Sequence, residues 1–240
     1  MNTPEARLRD PNGPRPRAPL LVQPLSEAAL DAAWRSGADA VILDIGQARE
    51  VADARPAPSE LGIYLRIDGL VPSLAGDLAA AASSRLAGVV LGRAADGAEV
   101  QNLAASLAVV EARIGLEDGS IGIVAEIASG AGLLRLATFA GASDRLRAVC
   151  WDADALAHDI GAASARGDDG DWIDPCRTAR SLTLAAAAAA GLPAIDCPFV
   201  GDDQEAFRRE AEQARRDGFA AKIAGDPGQI EAVRAVWMRG

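Results

Sequence analysis

Eight short aliphatic runs, separated by Ala-rich stretches of helical character, constrain this chain more than any other feature. They are Pro19–Val22, Ala40–Asp44, Ile63–Ile67, Gly88–Leu91, Ile121–Glu126, Leu146–Cys150, Pro193–Asp196 and Phe219–Ile223. A near-continuous apolar run is what a parallel strand buried on both faces needs, and a helix between successive strands is the usual way to connect them. Helices are expected over Ser26–Ser36, with Ser26 as its cap, and over Gln204–Asp217, where Gly218 stops it. The run Ala185–Ala190 reads as helix because Ala is the best helix former, and it ends at Gly191 and Pro193.

Eight such units in 240 residues match the length of one (β/α)8 TIM barrel. The expectation is therefore an α/β chain with a single domain over 17–240, preceded by a disordered Pro/Arg-rich tail at 1–16. An open doubly wound sheet is the rival. Its first strand-to-helix turn would carry a GxGxxG fingerprint, and here that turn reads VQPLSE.

With 50% hydrophobic but only 4% aromatic residues, the core must be assembled from Ala, Val, Leu and Ile. The net charge of −10 has the wrong sign for a general affinity for nucleic acid or an anionic membrane. Small molecules or other proteins are the expected partners. No apolar run approaches the roughly 20 residues of a membrane span, and the first residues lack the apolar stretch of a secretory signal. Cys150, Cys176 and Cys197 show no CxxC spacing, so neither a zinc site nor a disulfide framework is indicated and a reducing cytoplasm fits.

Barrel chemistry sits at the carboxyl ends of the strands, which directs attention to Asp44, Arg66, Arg93, Glu126, Asp152, Asp154, Asp196 and Lys222. Glu126 ends an apolar run just before a small-residue turn. With a second carboxylate it could hold Mg2+ through oxygen ligands; paired with Arg66 or Arg93 it would instead close the barrel top. Arg66 offers a planar fork suited to a substrate carboxylate or a developing enolate, or else to a structural ion pair. Lys222 is the only lysine among 24 basic residues, which leaves a Schiff-base role, a binding role and a structural role open. His158, the sole histidine, has no second ligand at a matching spacing and reads as structural. The SGAG turn at Ser129–Gly132 could cradle a phosphate. The segment from His158 to Arg177 reads as a polar surface excursion, whose Asp168, Asp169 and Asp171 lack the spacing of a calcium loop.

The order of several segments carries a resemblance: RAPLLV from Arg17, SGADAVILD from Ser36 to Asp44, LRIDG from Leu65 to Gly69, VAEIASG, ALAHDIG, GLPAIDCPF and GFAAKIAGDPGQI. Together they resemble the citrate lyase beta-subunit branch of the HpcH/HpaI aldolase superfamily over nearly the whole chain. That resemblance implies a magnesium-dependent carbon–carbon lyase that cleaves a small hydroxyacyl-CoA of citryl, malyl or citramalyl type, in a homo-oligomer, commonly a trimer or hexamer. It also implies Arg66 and Glu126 as catalytic residues. Substrate contacts are expected from Arg17, Asp44, Arg66, Arg93, Asp196 and Lys222, and metal ligation from Glu126 with Asp154.

The chain departs from the family pattern at identifiable places. The Asp-Leu-Glu-Asp run stands here as Asp44-Ile45-Gly46-Gln47, Pro-Lys as Gly92-Arg93, and Ile-His-Pro as Gly225-Asp226-Pro227. The second metal aspartate falls on Ala155, leaving Asp152 or Asp154 to replace it, and no lid extension follows in the sequence. These differences keep open the alternatives of a catalytically inactive or regulatory homologue, a thioesterase, or an oxo-acid aldolase on the same barrel.

Overall fold

The computed structural model describes residues 21–22, 32–33, 35–45, 62–69, 74, 76–78 and 86–238. The expected tail at 1–16, Arg17 and most of the expected helix at 26–36 lie outside the described residues. Eight strands form one parallel sheet in chain order: β1 (Leu21–Val22), β2 (Ala40–Asp44), β3 (Gly62–Asp68), β4 (Leu86–Gly92), β5 (Gly122–Ile127), β6 (Leu146–Trp151), β7 (Ala194–Asp196) and β8 (Ala221–Lys222). This is an α/β fold with a curled parallel sheet. No pairing of β8 back to β1 occurs among the described residues. The helices are α1 (Gly97–Ile114), α2 (Gly130–Leu134), α3 (Ala153–Asp159), α4 (Asp174–Ala189), α5 (Gln204–Asp217) and α6 (Ile230–Met238).

Side-chain alternation sorts the strand residues into two layers. Val41, Leu43, Ile63, Leu65, Ile67, Val89, Leu91, Ile123, Ala125, Val149 and Trp151 pack with helix residues such as Leu103, Leu107 and Phe207. The opposite face packs Ala40, Ile42, Val90, Val124, Ala148, Cys150, Ile195, Ala221 and Ile223 against one another, with no helix residue among them. The second layer fills the inside of the curl. By the same parity, Asp44, Arg66, Glu126 and Asp152 belong to this inner face, whereas Asp196 and Lys222 belong to the helix-facing one.

Local chemistry sets the helix ends. Asp96 caps α1 by accepting from the Ala98 and Glu99 amides, and Gly115 ends it at φ 73°. Asp203 caps α5, and Gly218 terminates it at φ 111°. The expected excursion after His158 is shorter than the sequence suggested, because α4 already begins at Asp174. What lies between is a small hairpin bridged at Arg166 and Trp172. None of the described helices is long and apolar enough to cross a membrane.

At the end of the sheet away from the candidate rim, Glu111 of α1 accepts from Arg145 at 2.8 and 2.6 Å and from the amides of Ile121 and Gly119. Burial alone would raise its carboxyl, but these donors outweigh it and hold the group at about 2, against an ordinary 4.5. The folded state therefore binds fewer protons here than the unfolded chain does. The stability this site contributes is present above about pH 4.5 and is lost as pH falls toward 2. Urea midpoints taken from pH 6 down to pH 3 should fall for the wild type; in Glu111→Gln the midpoint should start lower and vary less with pH.

Candidate active site

Strand register brings the inner-face charges to one rim. Asp44 lies opposite Arg66 across β2 and β3, Asp68 opposite Gly92 across β3 and β4, and Glu126 opposite Cys150 across β5 and β6. Arg66 sits at the centre with only 16% of its side chain exposed. Its Nη2 donates to Glu126 Oε1 at 2.7 Å and its Nε to Oε2 at 3.1 Å. The remaining Nη1 faces Asp68 at 3.3 Å and Asp44 at 3.7 Å. A tight approach at Gly92 makes room for this fork: a Cβ there would stand 3.1 Å from the Arg66 Cζ and crowd the Asp68 carboxylate.

One guanidinium thus serves three carboxylates, and Asp152 adds a fourth negative charge that acts on Glu126. Burial pushes the Glu126 carboxyl up; the Arg66 hydrogen bonds oppose this, while Asp152 and Asp68 reinforce it. Arg66 is raised as well, held charged chiefly by its hydrogen bond to Glu126. Among the described residues the rim carries more negative than positive charge, and that surplus favours a cation.

The position of the second carboxylate differs from the expectation. Asp152 directly follows β6, its amide donating to the Ile127 carbonyl at 3.0 Å, and its Oδ1 caps α3 by accepting from the Ala155 amide at 2.9 Å. Asp154 lies two residues on, exposed, where Asp152 and Arg166 are the charges that act on it. Asp152, not Asp154, is the carboxylate beside Glu126, because Asp154 leaves the strand end already inside a helix whose buried face is formed by Ala153, Leu156 and Ala157.

Asp196 and Lys222, expected among the substrate contacts, lie away from the rim. Both side chains point into the helix-facing layer, are fully buried, and take no part in the rim. The Lys222 ammonium donates to the Cys197 carbonyl at 2.6 Å, to Glu210 at 2.7 Å and to Asp196 at 3.4 Å. Burial works against this charge, but Asp196 and Glu210 outweigh it and keep the amine protonated. A Schiff base needs a neutral amine with access to a carbonyl carbon, so the geometry removes that reading of the single lysine. Arg93, with φ 53° the only non-glycine at positive φ among the described residues, leaves the end of β4 to pair with Asp159 at 2.5 Å. The other Asp159 oxygen accepts from the Gly130 amide, tying the Ser129–Gly132 turn to Arg93 rather than leaving it an open phosphate cradle.

Among the described residues no group of three or more His, Cys, Asp or Glu side chains is placed to hold a metal ion. Magnesium does not demand one, since it is commonly held by one or two carboxylates with water and substrate oxygens completing an octahedron. Glu126 and Asp152, on neighbouring strand ends at a rim with surplus negative charge, fit that donor set.

Comparison with known proteins matches residues 19–227 to the family HpcH/HpaI aldolase/citrate lyase. The chain belongs to this family. Among its relatives, citrate lyase subunit beta of Leuconostoc mesenteroides subsp. cremoris is 29% identical over 217 residues, 84% of this chain and 70% of that protein. A citrate lyase subunit beta-like protein of Mycobacterium tuberculosis is 30% identical over 214 residues, 84% of this chain and 72% of that one. The solved structure of the CitE protein of M. tuberculosis with magnesium and acetoacetate superposes with a TM-score of 0.74 at 26% identity, covering 92% of this chain and 91% of that one. The same protein with magnesium, acetoacetate and coenzyme A gives 0.72 at 27% identity, covering 95% and 83%.

Proposed function

We propose that this family member is a magnesium-dependent carbon–carbon lyase acting on a small hydroxyacyl-CoA, on a sheet that closes as a (β/α)8 barrel. One observation carries the reading: a mostly buried guanidinium and a buried carboxylate, Arg66 and Glu126, lock together at the inner rim with Asp152 beside them. Magnesium held by Glu126 and Asp152 would supply charge for the oxygen-rich fragment. Displaced from Glu126, the Arg66 fork turns to the thioester oxygen, where enolate charge develops as the carbon–carbon bond breaks. Asp44 and Asp68 hold the far side of the guanidinium and orient it, and Arg93 binds an anionic part of the substrate at the β4 end. The small-molecule partner, a cytoplasmic setting and a homotrimer or hexamer belong to the same proposal. Arg17 would join the substrate contacts.

Formation of the enolate can be tested apart from cleavage. Acetyl-CoA or propionyl-CoA incubated with the protein and Mg2+ in D2O should take up deuterium beside the thioester carbonyl without releasing free thiol. Thiol release without exchange would point to a thioesterase and defeat the proposal. Gly92→Ala gives a local check, because the added methyl presses on the movable ends of Arg66 and Asp68 rather than on the backbone. Its melting temperature should stay close to the wild type while the rate falls by as much as about 10²-fold, the scale for a misplaced catalytic group; a rate equal to the wild type would show that the position of the fork does not matter.

A further inference from the structure

Behind the rim, on the helix side of the sheet, the Trp151 indole N–H donates to Asp196 Oδ1 at 2.7 Å. Asp196 is itself held from two other directions, by Arg180 at 3.3 Å and by Lys222 at 3.4 Å. Lys222 bonds on to Glu210, which accepts from Arg166 at 2.5 Å, and Arg166 stacks 3.5 Å above the ring of Trp172. Trp172 in turn meets Trp151 edge-on with ring centroids 5.5 Å apart. The circuit closes on Trp151, a side chain with no exposed surface. Its three cations (Arg166, Arg180, Lys222) meet the three carboxylates of Asp196, Glu210 and Asp217.

Trp151 is the last residue of β6, and the residue after it is Asp152. Because alternate residues face opposite sides of a strand, fixing the Trp151 ring on the helix side fixes the direction in which Asp152 leaves on the other. We infer that Trp151 and Asp196 are positioning residues for the Asp152 carboxylate, so that the bond between them sets the divalent-cation affinity of the Glu126–Asp152 pair. The inference rests on the functional reading above. It assigns to Asp196 a role through another residue in place of the substrate contact expected from the sequence.

The test is Mn2+ binding, read from the loss of the free-ion paramagnetic resonance signal, in the wild type, Trp151→Phe, Trp172→Phe and Asp152→Asn. Trp151→Phe removes the indole donor and keeps an aromatic ring; Trp172→Phe makes the same change on the partner ring but leaves the bond to Asp196. Trp151→Phe should weaken Mn2+ binding by about 10-fold, the scale for a lost outer-shell contact, and Trp172→Phe should not change it. Equal affinity in Trp151→Phe and the wild type overturns the inference, as does equal weakening in both aromatic variants. A wild type that binds no Mn2+, or an Asp152→Asn that binds it as tightly, removes instead the metal pair on which the inference stands. Should Trp151→Phe fail to fold, the Trp151 indole N–H resonance of the wild type decides: it should shift along the Mg2+ saturation curve, and a resonance unmoved at saturation overturns the inference.

Discussion

Lys222→Met will cost the fold about 3 kcal/mol, the lower end of the range for removing one partner of a buried ion pair. The methionine fills much of the lysine's volume, so the loss is electrostatic. Asp196 and Glu210 are left buried without the ammonium that bonds to both. The lower end applies because each keeps a second cation, Arg180 for Asp196 and Arg166 for Glu210. Urea denaturation should show the loss as a lowered midpoint with an unchanged slope. The same variant separates structure from chemistry: its turnover per folded molecule should persist at saturating Mg2+, whereas a covalent lysine would leave none. A midpoint equal to the wild type would mean that the circuit contributes nothing net.

Glu126→Gln will lower turnover by about 10²–10³-fold or more, since it removes an anionic metal ligand and discharges the ion pair that stores Arg66 in place. The amide keeps the shape and can still accept from Arg66, so folding should survive. Asp152→Asn should act in the same direction. Asp154→Asn should leave turnover unchanged, because that side chain is exposed and already inside α3, past the strand end. Comparing initial rates of the three variants at saturating Mg2+ tests the assignment of the second carboxylate; a large loss in Asp154→Asn with none in Asp152→Asn would return it to the residue first expected.

Much of the architecture was legible because strands in this class are short aliphatic runs and helices carry their caps in the sequence. The eight runs recur as eight parallel strands in order, and α5 spans Gln204–Asp217 as its cap and its glycine require. Register was harder to read. A strand buried on both faces gives no polar alternation to show which residues point inward. Asp196 between Ile195 and Cys197, and Lys222 between Ala221 and Ile223, therefore look like rim residues until the pairing of Asp196 with Lys222 places both on the helix side.

At the rim the legible part was Arg66 and Glu126, each a charge at the end of an apolar run. Asp152 was less visible, since an aspartate just before a short helix is equally well explained as a cap, and here it is one. Counting by twos from Cys150 on the inner face admits both Asp152 and Asp154; the start of α3 at Ala153 breaks the strand alternation and decides for Asp152. Asp68 and Gly92 act through contacts between β3 and β4 that no local pattern announces.

The central claim is carbon–carbon cleavage at the Arg66–Glu126 rim, and its most direct test is to incubate the purified protein with citryl-, malyl- and citramalyl-CoA in the presence of Mg2+ and follow the carbonyl fragment. The account predicts release of that fragment from at least one of the three, with the thioester of the acyl-CoA product intact, and its loss both on chelation and in Glu126→Gln; no cleavage of any of them, or cleavage indifferent to chelator and to Glu126→Gln, would contradict it.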